Sequence, residues 1–399
     1  MNPPVFLFDL DGVLVAPRGY RAAVQAALRH ALNRWGWPLR LPEDLPDLFE
    51  AVGISSEWDM LPLILGTLLD AWAQHHGQIP PPSILDLQGP SPGPWGPLPT
   101  PDPSLTAQRL KPHLQPGKTP SQVAWDLQGS PQALFPHLGR SPLARALLLH
   151  TRNALRSPTT RLFQHLVLGS AAFAQTYGRP AEFETPSLLE RHDRPLLSAA
   201  LCARLCEMRR RHLLHAAVFT ARPSLPPKGS PPRPGYPPEA EMALALVGCS
   251  GLPLIGFGRL QAWLEEAGRR PESAEGWLKP HPFHALAALL AALTKDETAA
   301  LNQTAAWLLD AQPPPALRSL PGLHLIALED SISGLQAASA AAAEVRRLGI
   351  PVEVTLVGIT THPHKRHGLR EVGARTFPNC NQALEVLLRE TVPCPRASG

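Results

Sequence analysis

Ten residues near the start of the chain, Val5-Phe6-Leu7-Phe8-Asp9-Leu10-Asp11-Gly12-Val13-Leu14, constrain its fold more than any other feature. An apolar strand ends there in two aspartates two residues apart, followed at once by a glycine. Side chains i and i+2 of an extended segment point the same way, so both carboxylates can face one cavity. Gly12 then lets the backbone turn tightly and come close to a ligand.

Further apolar runs repeat the pattern. Strands are predicted at 4–9, 215–220, 253–257, 323–328 and 352–358, with helices at about 196–212, 238–248, 259–267, 282–293 and 332–348. Strands alternating with helices argue for an α/β fold, a parallel sheet covered on both faces. Ser331 is a plausible N-cap for the helix that follows it, and Gly349 a stop. Asp9, Thr220 and Asp330 all fall at carboxyl ends of predicted strands, where open α/β sheets place their sites.

Four segments carry chemistry: Phe8-Asp9-Leu10-Asp11-Gly12, Val218-Phe219-Thr220-Ala221-Arg222, Trp277-Leu278-Lys279-Pro280 and Leu328-Glu329-Asp330-Ser331. Phosphoryl transfer requires a nucleophile, a proton shuttle, a cation and positive donors around the phosphoryl oxygens. Asp9 can form an aspartyl-phosphate, and Asp11 can protonate a leaving oxygen and then take a proton from water. Thr220 offers a hydroxyl and Lys279 a point charge to a phosphate. Asp330, with Glu329 through a water, completes an oxygen-only site that suits Mg²⁺. The cation would offset repulsion among the clustered carboxylates.

In this order the four segments resemble the motifs of the haloacid dehalogenase-like (HAD) hydrolase superfamily, with the phosphoglycolate phosphatase and β-phosphoglucomutase-like branch as the nearest match. The resemblance spans about half the chain. It implies a HAD-like Rossmannoid parallel sheet core with an inserted, mainly helical cap. It also implies the roles just given, and makes the main-chain carbonyl of Asp11 a metal ligand beside Asp9, Glu329 and Asp330. Dehalogenase members lack an acid two residues after the nucleophile, so Asp11 favours phosphate ester chemistry. The implied function is a Mg²⁺-dependent phosphatase of a small phosphorylated metabolite, with a phosphomutase as the runner-up. A non-catalytic ligand-binding module should have lost one of Asp9, Asp11, Lys279 or Asp330, and all four are present.

The core is expected from residues 1–16 and 195–399, and the cap from 17–194, where apolar residues such as Tyr20, Val24, Ala27, Leu28 and Ala31 recur at helical spacing. Such a cap would fold over the site. Pro80 to Pro142 holds sixteen prolines. Proline denies helices and sheet interiors their hydrogen bonds, so 79–142 is expected to be an extended or mobile segment. Eight more prolines between Pro223 and Pro238 should lengthen a loop near the site entrance.

The net charge of +4 on 399 residues does not suggest nucleic-acid binding, and Arg209-Arg210-Arg211 reads as a helix end complementing the dipole. No secretory signal is visible, and the apolar stretch 60–73 is broken by Pro62 and Asp70, so no membrane partner is expected. Five scattered cysteines fit a reducing cytoplasm. Cys202 and Cys206 share a helix face at i,i+4, a spacing that could hold a metal, but no second pair is near in sequence. Three secondary candidates remain. Ser55 to Asp59 could reach a substrate or simply start a helix, His362, His364 and His367 cluster after the last predicted strand, and Arg18 and Tyr20 follow the nucleophile loop.

Overall fold

The computed structural model describes residues 3–86, 100–115, 117–269, 271–318 and 320–391. The chain divides into two compact units, residues 1–17 with 193–399, and residues 18–192.

The first unit is a Rossmann-like α/β sandwich. Its strands are β1 (Val5–Phe8), β4 (His215–Phe219), β5 (Leu254–Ile255), β6 (Leu323–Glu329), β7 (Val352–Ile359) and β8 (Arg375–Phe377), and a small ribbon joins β2 (Val15–Ala16) to β3 (Arg194–Pro195). The six-stranded sheet has the order β5-β4-β1-β6-β7-β8, and every neighbouring pair in it is parallel. From β1 the chain builds outward through β4 and β5, then returns to the other side of β1 with β6. That reversal places a topological switch point at β1 and β6, the usual place for a site in open α/β sheets.

Alternation along the strands loads both faces. Val5, Leu7, Ala217, Phe219 and Leu325 pack against the helix Pro282–Thr294 and its neighbours. Phe6, Phe8, Ala216, Val218, Ile326 and Leu328 pack against the helices Ala199–Arg210 and Cys380–Thr391. The Pro282–Thr294 helix is apolar nearly all round, as a helix buried in such a layer must be. His281 caps its start by accepting from the Phe283 amide, and Lys295 ends it at φ +60°. Ser331 caps the Ile332–Arg347 helix through the Gly334 amide, as its sequence position suggested. The three-residue β8, the β2–β3 ribbon and the helices Glu297–Asp310, Pro363–Glu371 and Cys380–Thr391 are additions to the sequence reading.

The second unit is helical. Arg18–Arg34, Glu57–His76 and Pro158–Leu168 are its longer helices. The expectation of an extended or mobile 79–142 is corrected over its described part. Residues 103–110, 120–127 and 142–148 are helices, and Ala107, Leu110, Val123, Ala124, Phe135 and Leu138 are buried. The prolines act as starts rather than breaks. Pro103, Pro120, Pro142 and Pro158 each open a helix behind Asp102, Thr119, Ser141 or Ser157, whose side chain accepts a first-turn amide. A proline loses nothing at that position because its missing N–H would be unpaired anyway. Residues 87–99 of the predicted segment lie outside the described residues. Among the described residues no helix is long and apolar enough to cross a membrane.

Candidate active site

Three strand ends and one helix start converge at the carboxyl edge of the sheet. Asp9 follows β1, and its amide donates to the Leu328 carbonyl of β6, which carries the ladder one residue past the strand. Its Oδ1 accepts from the Leu10 amide at 2.8 Å and lies 2.9 Å from Lys279 Nζ. Lys279 precedes the apolar Pro282–Thr294 helix and is 2.6 Å from Glu329 Oε1. Its ammonium also stands 4.1 Å from the centroid of the Phe219 ring, which closes the site beneath it. Thr220, at the end of β4, is buried, and its Oγ1 accepts from the Arg222 amide.

Two glycines are required by close approach. Gly12 has φ +73°, and a Cβ there would also collide with the Asp330 carboxylate. A Cβ at Gly334 would fall on the Glu329 carboxylate. The loop after β1 and the helix after β6 are thus fitted around the two acids that end β6.

Burial sets the electrostatics. Asp9 is pushed up to about 6 by desolvation, with Lys279 opposing and Asp330 and Asp11 adding to the rise. Glu329 is pushed up to about 8, again chiefly by desolvation, with Lys279 lowering it and Asp9 raising it. Burial alone would lower Lys279, but Asp9 and Glu329 outweigh it and leave its affinity for the proton above the ordinary value. Lys279 therefore serves the two most buried carboxylates, Asp9 and Glu329, in a desolvated pocket.

That cluster has the donors for a hard divalent ion. Oxygens of Asp9, Glu329 and Asp330 all lie within 4.8 Å of one another. Glu329 Oε2 accepts from Ser331 Oγ at 3.0 Å, and its buried Oε1 meets the Lys279 ammonium. An all-oxygen set of this kind suits Mg²⁺.

Asp11 is placed by a residue whose role the sequence reading missed. Arg222 Nε donates to both Asp11 oxygens, at 2.8 and 3.0 Å, and its Nη2 reaches Asp11 Oδ1 at 2.6 Å and Asp193 Oδ2 at 2.9 Å. The Arg222 and Asp193 side chains are only 1% and 3% exposed, whereas Asp11 is 32% exposed. Asp11 is thus clamped on one side and open on the other. The only sequence signal was an arginine two residues after Thr220, on the same loop. A second addition is Lys365, 2.6 Å from Asp330 Oδ2.

His362, His364 and His367 are exposed, and His367 pairs with Glu371. Asp59 is buried inside the helical unit, where it accepts from the Ser121 amide and pairs with Arg152. Ser56 holds the N-cap position of that helix without a side-chain bond. Tyr20 stacks against Phe163 in the same unit, and Arg18 is exposed. Cys202 and Cys206 are joined by Cys249, from 43 residues further along.

No protein-family model and no curated protein sequence matches the chain. Among solved structures, it is similar to a Northeast Structural Genomics Consortium crystal structure, at 14% identity and TM-score 0.60 over 97% of this chain and 98% of the other. At that identity the likeness is one of fold. A phosphatase from Thermococcus thioreducens (16% identity, TM-score 0.45, 96% and 99% covered) and a hydrolase from Pseudomonas syringae (13%, 0.33, 98% and 100%) resemble it more loosely, too loosely to carry an argument.

Proposed function

We propose that the chain is a HAD-like phosphohydrolase that cleaves a small phosphate monoester through an aspartyl-phosphate on Asp9. The observation that carries this reading is the convergence of Asp9, Lys279, Glu329 and Asp330 at one switch point, with Asp11 clamped beside them. Asp9 Oδ1 is held by Leu10 N–H and Lys279, which leaves Oδ2 as the attacking atom. Lys279 would meet the phosphoryl oxygens from the β4 side, with Thr220 as a hydroxyl donor. Asp11, open on one side, would give its proton to the leaving oxygen and then take one from the attacking water. Arg222 acts through Asp11 by fixing its direction.

Asp9, Glu329, Asp330 and the Asp11 carbonyl would hold Mg²⁺, which when bound supplies charge neutralisation for the phosphoryl oxygens. The preorganised charge of Lys279 contributes most where negative charge develops in the transition state.

The test is phosphate release from a panel of sugar phosphates, phosphoglycolate and nucleotides, with Mg²⁺ and with EDTA. Turnover that needs Mg²⁺ supports the reading. Full activity in metal-free buffer would remove the carboxylate cluster from the reaction.

A further inference from the structure

At the opposite edge of the sheet from the acids, three cysteine sulfurs meet. Cys202 and Cys206 lie one turn apart on the helix Ala199–Arg210, which leads into the amino end of β4. Cys249 lies in the turn between the helix Glu239–Leu246 and β5. The three sulfurs are all within 4.8 Å of one another. Cys202 and Cys249 are buried and Cys206 is half-buried, so the cluster has an inner floor and an outer opening.

The local backbone favours this arrangement. Gly248 takes φ +77° to turn the chain after its helix, which aims Cys249 back at the Ala199–Arg210 helix. Arg209, three residues after Cys206, donates from Nη1 to the Gly251 carbonyl at 2.7 Å and ties the Cys249 turn to the cysteine helix. Its guanidinium stands where it opposes the charge that thiolates would bring. Apolar side chains around the sulfurs, Leu201, Leu205, Leu244 and Leu252 among them, restrict water.

We propose that Cys202, Cys206 and Cys249 form a binding site for one soft, three-coordinate metal ion, Cu(I) foremost. Thiolate donors select soft ions over the hard ion suited to the carboxylate cluster. An ion equidistant from three sulfurs at most 4.8 Å apart would lie no more than about 2.8 Å from each, so reaching the ~2.3 Å of a metal–thiolate bond needs shifts of about half an ångström. The described residues bring no fourth His, Cys, Asp or Glu ligand into the cluster, so Zn²⁺ would have to complete its tetrahedral shell with water, which the apolar surround disfavours. Binding exchanges each S–H bond for an S–metal bond and releases the proton to solvent, with no change in oxidation state.

The experiment uses the full chain with Cys394→Ser, which removes a thiol outside the described residues. Anaerobic titration with Cu(I) from a chromophoric chelator complex should give one ion per chain. A thiolate-to-metal charge-transfer band should appear, with Cys206 protected from alkylation. Cys206→Ser, the least buried change, should weaken binding at least about 100-fold, beyond what loss of an outer hydrogen-bond partner does. Cys380→Ser, which alters a buried cysteine outside the cluster, should leave it unchanged. Equal affinity in Cys206→Ser, absence of the band, or thiol-dependent binding of Zn²⁺ in preference to Cu(I) would overturn the assignment. Circular dichroism of each variant separates loss of binding from loss of fold.

Discussion

Replacing Arg222 by Met keeps much of the side-chain volume and removes its charge, and its consequences follow from the exposures of its two partners. Asp193 is 3% exposed and would keep its negative charge without the guanidinium, whereas Asp11 at 32% is partly solvated and contributes little to the cost. Breaking a buried pair by removing one partner costs about 3–5 kcal/mol. For a unit of this size, at roughly 2–4 °C per kcal/mol, Tm should fall by about 6–20 °C. Urea unfolding followed by tryptophan fluorescence measures the first figure and a thermal melt the second. Arg222→Met with Asp193→Asn should recover much of the loss, because an uncharged pair leaves no buried charge behind. Activity should separate from stability. Both variants lose the clamp on Asp11, and a displacement on the order of 1 Å can cost about 10²-fold in kcat. A loss below about 1 kcal/mol in Arg222→Met, or a double variant no more stable than the single one, would refute this reasoning.

Two further outcomes are expected. Asp9 and Glu329 bind protons more tightly folded than unfolded, so their contribution to metal-free stability is present at acid pH and lost as pH rises through about 6 and about 8. Mg²⁺ takes the ionised form, so saturating Mg²⁺ should raise Tm more at about pH 8.5 than at about pH 5.5, and the reverse order in a melt would contradict the site. Deleting 100–130 should unfold the helical unit, since Ala107, Leu110, Val123 and Ala124 are core residues, and a folded, cooperative deletion protein by circular dichroism would show otherwise.

The sheet core was legible because Val5–Phe8, His215–Phe219 and Leu323–Glu329 are apolar runs too short and too β-rich for helices. The acids at their ends were legible for the same reason, since a strand end fixes where a side chain points. Arg222 was not, because its value lies in reaching Asp193 and Asp11 across sequence separations of 29 and 211 residues. The proline-rich helices escape any reading that treats proline only as a breaker. Asp102, Thr119 and Ser141, each directly before a proline, carried the opposite signal. Cys249 joins Cys202 and Cys206 only through tertiary packing, which no spacing rule reports.

The most direct test of the central claim is the identity of the atom that takes the phosphoryl group. In Asp11→Asn, an activated aryl phosphate needs no proton on its leaving group, so the first step proceeds while water lacks its base in the second. Rapid acid quenching followed by peptide mass spectrometry should then find a phosphoryl group on Asp9, and Asp9→Asn should abolish turnover with the fold intact. Phosphate on a serine or histidine, or wild-type rates in Asp9→Asn, would contradict the account.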